Sequence, residues 1–157
     1  MKSIIKRIKK APPLWLMKLM LNIYPPYLGA GISVDFISED YRTIRVKLNK
    51  RWYNANYVGT HFGGSIYSMT DPFYMLMLMM NLGSDYIVWD KAAHIDFKKP
   101  GKNDLTAEFA IGQDLLDKII SETSAGDKYI FDLPVDVVDE DQEIVARMKK
   151  TLYVRRK

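Results

Sequence analysis

The feature that most constrains this fold is the segment 63–82, which has a helical pattern and becomes apolar on every side. Its residues 73–80 are eight consecutive apolar positions. A helix without a polar face is stable in water only when it is buried all round. Gly83 follows as a typical end signal. Because 157 residues make about one domain, the rest of the chain is expected to wrap around this helix.

The segments on either side of this helix alternate apolar and polar residues, as strands with one wet face do. We therefore predict an α+β fold in which an antiparallel sheet wraps around one long central helix, with an extra N-terminal helix at 13–24 ended by Pro25-Pro26. A loop is expected at 50–60 and a short helix at 115–122. The predicted strands are 31–38, 42–49, 86–98, 104–111, 128–138 and 143–154.

Charge is unevenly distributed along the chain. Residues 1–10 carry five cations and residues 147–157 carry six, with no acid in either segment. Since the whole chain is +4, residues 11–146 carry −7. We expect a basic N-terminal segment with an amphipathic helix at 1–27, followed by the folded domain at 28–157. No basic stripe interleaved with aromatic residues crosses the domain, so a nucleic-acid partner is not expected.

Composition excludes several kinds of site. Without cysteine there is no disulfide scaffold, thiolate metal site or cysteine nucleophile. With two histidines there is no zinc site built from several imidazoles, and no metal or redox cofactor is implied. The sequence contains no run of 18 apolar residues, so no membrane-spanning helix is predicted. The N-terminus lacks the pattern of a signal peptide. A chain without cysteine fits a reducing compartment, so we expect a cytoplasmic protein.

The candidate chemistry lies at the start and middle of the central segment. Gly63-Gly64 opens the helix, where the first N–H groups have no helical acceptor and can hold a polarised oxygen. Asp71 is the only carboxylate of the segment, and a carboxylate in apolar surroundings is costly unless it is paired or functional. At 1.5 Å per residue the two lie about 12 Å apart in one helix. If both serve one reaction, they must come from two chains of a dimer.

A second interpretation of Asp71 is purely structural. Aspartate followed by proline is typical of an N-cap and first helical position, and the residues alone favour this interpretation. The helix would then begin at Pro72, and Gly63-Gly64 would be loop. If the helix instead runs through, Pro72 removes the bond to the Ser68 carbonyl and introduces a kink beside the carboxylate.

The same residues resemble a known superfamily. GGSIYSMTD (63–71) is similar to the helix start of hotdog-fold acyl-CoA thioesterases, which have a Gly-Gly pair and an acid eight residues after its first glycine. AAHIDFKKPG (92–101) is similar to the strand that follows in that superfamily. HFGG (61–64) and DPFY (71–74) resemble an uncharacterised branch of it. The resemblance covers residues 28–155 and agrees in element order, so it implies a hotdog domain.

The resemblance also implies roles for individual residues. Asp71 matches the catalytic carboxylate, and Gly63, with Gly64 beside it, matches the glycine whose amide polarises the thioester carbonyl. Asn56 matches an asparagine that orders water or substrate. Many relatives have histidine directly before Gly-Gly, whereas this chain has Phe62 there and His61 one residue earlier. We therefore place His61 and Phe62 among the substrate-binding candidates. Because His61 stands one residue earlier than the histidine of those relatives, its side chain is expected to point in a different direction.

These residues predict a thioester hydrolase acting on acyl-CoA or a related carrier thioester, working as a homodimer or a dimer of dimers. Two alternatives remain open. One is a hotdog dehydratase or hydratase that uses His61 with an acid. The other is a non-catalytic module that binds an acyl group, which Phe62 favours. Contact of the N-terminal helix with a membrane surface is a further interpretation that we do not favour.

Other candidates have plainer interpretations. His94 is expected to be a hydrogen-bonded strand residue. Arg147, Lys149 and Arg155 are candidates to bind the phosphates of coenzyme A, although such charge runs are commonly a solvated face. The methionines of the central segment are expected in the core, with a softness that suits a variable acyl chain; they are Met69, Met75, Met77, Met79 and Met80.

Overall fold

The computed structural model describes residues 12–157, so the basic segment 1–10 lies outside the described residues. These residues form five helices and six strands in the predicted order. Two more helices are present than predicted, because there is an additional helix, α2, and the central helix is in two parts. The helices are α1 (Leu14–Asn22), α2 (Pro25–Ala30), α3 (Gly63–Ser68), α4 (Phe73–Leu82) and α5 (Gln113–Glu122). The strands are β1 (Ile32–Ile37), β2 (Thr43–Leu48), β3 (Tyr86–Phe97), β4 (Leu105–Ala110), β5 (Lys128–Val138) and β6 (Ile144–Arg156).

The six strands form one antiparallel sheet in the order β1-β2-β4-β5-β6-β3. Alternation decides which face of each strand is buried: on β2, Ile44, Val46 and Leu48 are buried and the residues between them are half-buried. The twelve-residue strand β3 forms one edge of the sheet. Its pairing with β6 shifts register between Asp90 and Ala92, which changes the residues that face inward.

The sheet wraps around α4, as the apolar segment predicts. Phe73, Tyr74, Met77 and Leu78 are all buried, and the Phe73 ring lies 5.1 Å from that of Phe109 on β4. Each such side chain contributes roughly 1.5–3 kcal/mol through removal from water. The central segment is helical from residue 63 to residue 82, with an interruption at 69–72 between α3 and α4. The predicted α+β architecture is therefore confirmed, with a broken rather than continuous central helix.

The N-terminal part of the described chain packs against the sheet edge at β1. Asn22 of α1 exchanges two hydrogen bonds with the backbone of Val34, at 2.6 and 3.2 Å. Pro25-Pro26 does end α1, as predicted, but it also begins the additional helix α2, since proline is well suited to the first helical position. Gly31 ends α2 with φ +79, a left-handed conformation that favours glycine. No helix within residues 12–157 is both long and apolar enough to span a bilayer.

Candidate active site at the interrupted central helix

The interruption of the central helix places Asp71 outside both helices. Pro72 has no N–H to continue the helical pattern, and the Asp71 N–H bonds the Ser68 carbonyl oxygen at 3.2 Å. Pro72 occupies the N-cap position of α4, and no side chain caps that helix. The interpretation of Asp71 as a helix cap is therefore wrong: its side chain is free for other partners, and Gly63-Gly64 is helical rather than loop.

The partner of the Asp71 carboxylate is a buried lysine on the sheet. Lys150 of β6 is only 1% exposed, and its Nζ lies 3.0 Å from Asp71 Oδ1. The same Nζ lies 3.4 Å from Oδ2 of Asp90 on β3 and 5.5 Å from the centre of the Tyr67 ring. Asp71 is 47% exposed on its side chain. One oxygen is thus held from the protein side while the carboxylate still reaches solvent.

Burial and charge set the ionisation of this cluster. Burial, together with the neighbouring Asp71 carboxyl, raises the pKa of Asp90 to about 6, against the opposing effect of Lys150. Burial also lowers the pKa of Lys150, but the hydrogen bond to Asp71 and the Asp90 charge outweigh it, so that its pKa is above the ordinary value. Within the described chain, neither Asp90 oxygen accepts a hydrogen bond. The lysine is therefore charged at neutral pH between two acids.

Asp71 is also tied to the N-terminal helices. The hydroxyl of Tyr27, on α2, donates a hydrogen bond to the backbone carbonyl oxygen of Asp71. Tyr27 is almost fully buried, and burial, with the Asp71 charge, raises the pKa of its hydroxyl, which therefore stays protonated as a donor. The interruption is thus held from two sides, by α2 and by β6.

An apolar cavity of about 460 Å³ opens beside Asp71. It lies between α1 and α2 on one side and the interrupted helix on the other. Polar groups are few, and most of the wall is aliphatic, aromatic or proline. The lining residues on the first side are Met17, Met20, Leu21, Tyr24, Pro26 and Tyr27, and on the second side Tyr67, Ser68, Asp71, Pro72 and Leu76.

Gly63 and Gly64 form the first turn of α3. Neither N–H can have a helical acceptor at this position, and none donates to a backbone carbonyl elsewhere in residues 12–157. A Cβ on Gly63 would lie 3.1 Å from the Phe97 ring, and one on Gly64 would overlap the Phe62 ring. Because α3 has only six residues, any anion binding here depends on individual N–H groups rather than on a long helix dipole.

The remaining predicted site residues are engaged in the loop that precedes α3. His61 is buried, its Nε2 lies 2.8 Å from the Asn103 carbonyl oxygen, and burial lowers its pKa. The Asn56 amide donates to Thr60 and His61 and accepts from the N–H groups of Val58 and Thr60. Phe62 is 59% exposed. The structure thus places His61 and Asn56 as loop supports, with Phe62 next to Gly64.

Comparison with family models identifies one match, which spans residues 14–154 and is described as a domain of unknown function, DUF4442. The chain belongs to the DUF4442 family. A comparison with curated proteins gives no match.

Solved structures establish the fold of this DUF4442 chain. PA5026 from Pseudomonas aeruginosa, a protein of unknown function termed a probable thioesterase, gives a TM-score of 0.81 at 16% identity over 93% of this chain and 97% of that one. The thioesterase HI1161 from Haemophilus influenzae gives 0.66 at 15%, over 94% of each chain. PaaI from E. coli, of the phenylacetic acid degradation operon, gives 0.60 at 17%, over 91% and 92%. The hotdog fold implied by the sequence is confirmed.

Several charged candidates lie away from this cavity. Arg147 pairs with Asp136 at 2.8 Å and Lys149 with Asp132 at 3.3 Å, while Arg155 and His94 are exposed. These ion pairs fit the solvated-face interpretation of the C-terminal charge run. Within residues 12–157, no three histidine, aspartate or glutamate side chains are grouped to hold a metal ion.

Sequence reasoning missed Lys150, Asp90 and Tyr27. For Lys150 a signal existed, since it occupies the same alternating positions of β6 as Met148 and Leu152, which are buried. For Asp90 the register shift beside it breaks the alternation, and for Tyr27 only the unexpected helix α2 brings it to Asp71.

Proposed function

We propose that this protein is a thioester hydrolase that acts on acyl-CoA or a related carrier thioester. The observation that carries the proposal is the position of Asp71. Its half-exposed carboxylate lies in the wall of an apolar cavity, is not used as a helix cap, and is held through one oxygen by the buried Lys150. An apolar pocket with few polar groups is typical of a small-molecule site.

The geometry supports general-base catalysis by Asp71. Lys150 holds Oδ1 at 3.0 Å, and about half of the Asp71 side chain stays exposed to solvent. Oδ2 would accept a proton from water as the water oxygen attacks the thioester carbonyl carbon. The C–S bond then breaks, and the leaving thiolate takes the proton that Asp71 accepted from water, which leaves the carboxylic acid and restores the Asp71 carboxylate. Direct attack by the carboxylate, which forms a mixed anhydride, uses the same residue and stays an alternative.

Stabilisation of the carbonyl oxygen would come from the N–H groups of Gly63 and Gly64. These bonds strengthen as negative charge develops on the oxygen, so they act on the transition state more than on the substrate. Since the two glycines precede Asp71 by a whole helix, we infer that they act across a homodimer, each site combining Asp71 of one chain with the glycines of its partner.

The cytoplasmic location of the protein stays a prediction.

Two further observations support the proposal. Proteins of the same fold are named as thioesterases, HI1161 among them. At 15% sequence identity, this similarity shows a shared fold and not a shared activity. In addition, none of the lining residues within 12–157 is a cation, which fits an uncharged acyl group better than an anionic ligand.

The test is release of free thiol from a panel of acyl-CoA substrates by the purified full-length chain. Asp71→Asn keeps the side-chain size and is expected to lower kcat by at least about a hundredfold, as loss of a general base typically does. Asp141→Asn, at an exposed turn, is the matched control and should retain full activity. Equal activity of the two variants would remove Asp71 from the reaction.

The same assay separates the alternatives. Hydration of an enoyl thioester without thiol release would indicate a hydratase, and saturable binding with neither reaction would indicate an acyl-binding module. Gly63→Pro removes one N–H and is expected to lower thiol release by about 10²–10³, while sedimentation still shows a dimer. Undiminished activity of Gly63→Pro would contradict the role of that N–H, and a monomeric wild type would contradict the shared site.

A further inference from the structure

The polar groups of the cavity are concentrated around Asp71. Of the lining side chains that can form hydrogen bonds, Tyr67, Ser68 and Asp71 lie on α3 and the interruption. The Tyr27 hydroxyl bonds the Asp71 carbonyl oxygen at the same end, and Tyr24 lies at the start of α2. The remaining wall consists of hydrocarbon and thioether groups: Met17, Met20 and Leu21 of α1, the two prolines Pro26 and Pro72, and Leu76 of α4. A ligand that fits this arrangement has one polar end and one apolar end.

We propose that this cavity binds the acyl chain of the substrate as an unbranched aliphatic tail, with the thioester at Asp71 and the tail between α1 and α4. This inference rests on the proposed function and adds the substrate class to it. The wall is built in part by the N-terminal helices, so α1 and α2 are part of the acyl site.

The size of the cavity fits such a tail. Its volume of about 460 Å³ lies within the roughly 300–1,000 Å³ common for small-molecule sites. At roughly 30 Å³ per molecule it has room for about fifteen waters. Water in contact with an apolar wall is displaced favourably, and each methylene that replaces it contributes about 0.8 kcal/mol.

The lining chemistry favours an aliphatic tail over a rigid or charged group. Met17 and Met20 have three rotatable side-chain bonds and adapt to irregular, flexible ligands. Among the described residues 12–157, Asp71 is the only formally charged one in the lining, and it repels a carboxylate. The free acid formed by hydrolysis therefore meets a like charge at the polar end, which assists its release.

Binding of thioether analogues tests this without depending on turnover. S-butyl-, S-octyl- and S-dodecyl-coenzyme A cannot be hydrolysed, and their affinities for the full-length chain can be measured by calorimetry. Each added methylene is expected to lower Kd up to about fourfold, which corresponds to about 0.8 kcal/mol, until the cavity is filled. Asp71→Asn should retain this dependence. An affinity that does not change with chain length would overturn the proposal.

Blocking the cavity gives the second arm. Leu76→Trp adds bulk to the lining of α4 and is expected to remove most of the gain from butyl to octyl. Met79→Trp, on the same helix, exposed and outside the lining, is the matched control and should keep it. Met20→Trp, at a partly exposed position of α1, serves if Leu76→Trp does not fold. Chain-length dependence that persists in the blocked variants, or tighter binding of S-benzyl-coenzyme A than of the S-octyl analogue, would overturn the proposal.

The two proposals fail in different ways. Chain-length-dependent binding without thiol release from any acyl-CoA supports the cavity assignment and contradicts the hydrolase. Thiol release that is equally fast for all chain lengths, together with flat affinities, supports the hydrolase and overturns the cavity assignment.

Discussion

Two neighbouring lysines on β6 have opposite surroundings. Lys149 points to the outer face of the sheet, is 58% exposed and lies 3.3 Å from Asp132. Lys150 points to the inner face, is 1% exposed and lies between Asp71 and Asp90. The two lysines are adjacent on the strand, and they differ because successive side chains of a strand point to opposite faces of the sheet. Burial, rather than residue type, therefore decides which lysine is part of the site.

The difference also concerns energy. An exposed ion pair contributes about 0–1 kcal/mol, because water and salt screen it and two long side chains lose freedom. A buried charge has lost its hydration, so removal of its partner leaves an uncompensated charge. The inner cluster should thus be sensitive to substitution and to pH, and the outer pairs should not.

The largest expected effect is that of Lys150→Met. It leaves Asp71 and Asp90 without their counter-charge, and we expect a loss of about 3 kcal/mol in the free energy of unfolding at neutral pH. This is the low end for a broken buried pair, because Asp71 is half-exposed and can turn to water. Urea unfolding measures the effect. A loss no larger than that of Lys149→Met would break the contrast between the two faces.

A smaller effect is expected from Asp90→Asn as a function of pH. The pKa of Asp90 is about 6 in the folded chain against an ordinary value near 4, so the folded state binds this proton more tightly than the unfolded state does. The stability that the protonated group supplies is therefore lost as pH rises from about 4 to about 6, by on the order of 2 kcal/mol. Asp90→Asn lacks this loss.

The measurement is the free energy of unfolding of the wild type and Asp90→Asn over that pH range, in which the wild type should lose stability relative to the variant. The carboxyls of the outer face titrate equally in both proteins and cancel in the difference. Parallel curves would show that the buried acid does not titrate there. An NMR titration of the Asp90 carboxyl carbon gives its pKa directly.

The smallest effect is expected from Lys149→Met. It removes an exposed pair with Asp132, and the free energy of unfolding should fall by less than about 1 kcal/mol. Measured at low and high salt, this small loss should shrink further as salt rises. A loss in the free energy of unfolding that is the same at low and high salt would mean that Lys149 makes stabilising interactions beyond its ion pair with Asp132.

Most of the fold could be predicted from the sequence because its signals are local and repeated. The alternation of Ile44, Val46 and Leu48 defines β2, and the apolar stretch of α4 requires a sheet around it. The departures occur at proline. Pro25 begins the helix α2, which was not predicted. Pro72 separates α3 from α4, where the pattern predicted one helix. Both departures arise because proline can mark either the start or the end of a helix.

The site was only partly predictable for a different reason. The candidates Asp71, Gly63 and Gly64 stand in one segment and are visible in the sequence. Their supports come from distant parts of the chain: Lys150 lies 79 residues from Asp71 and Tyr27 lies 44 residues away. Pairing across such distances depends on tertiary packing, which no local pattern encodes.

The hydrogen bond from Tyr27 to the Asp71 carbonyl has a practical consequence for anyone who shortens this chain. Trimming it to the wrapped sheet and its central helix would discard the hydroxyl that anchors the peptide carrying the acid, along with one wall of the adjoining cavity. A shortened version would therefore retain the outline of the domain but lose the alignment of its acid, and an inactive fragment of that kind would say nothing about the intact protein.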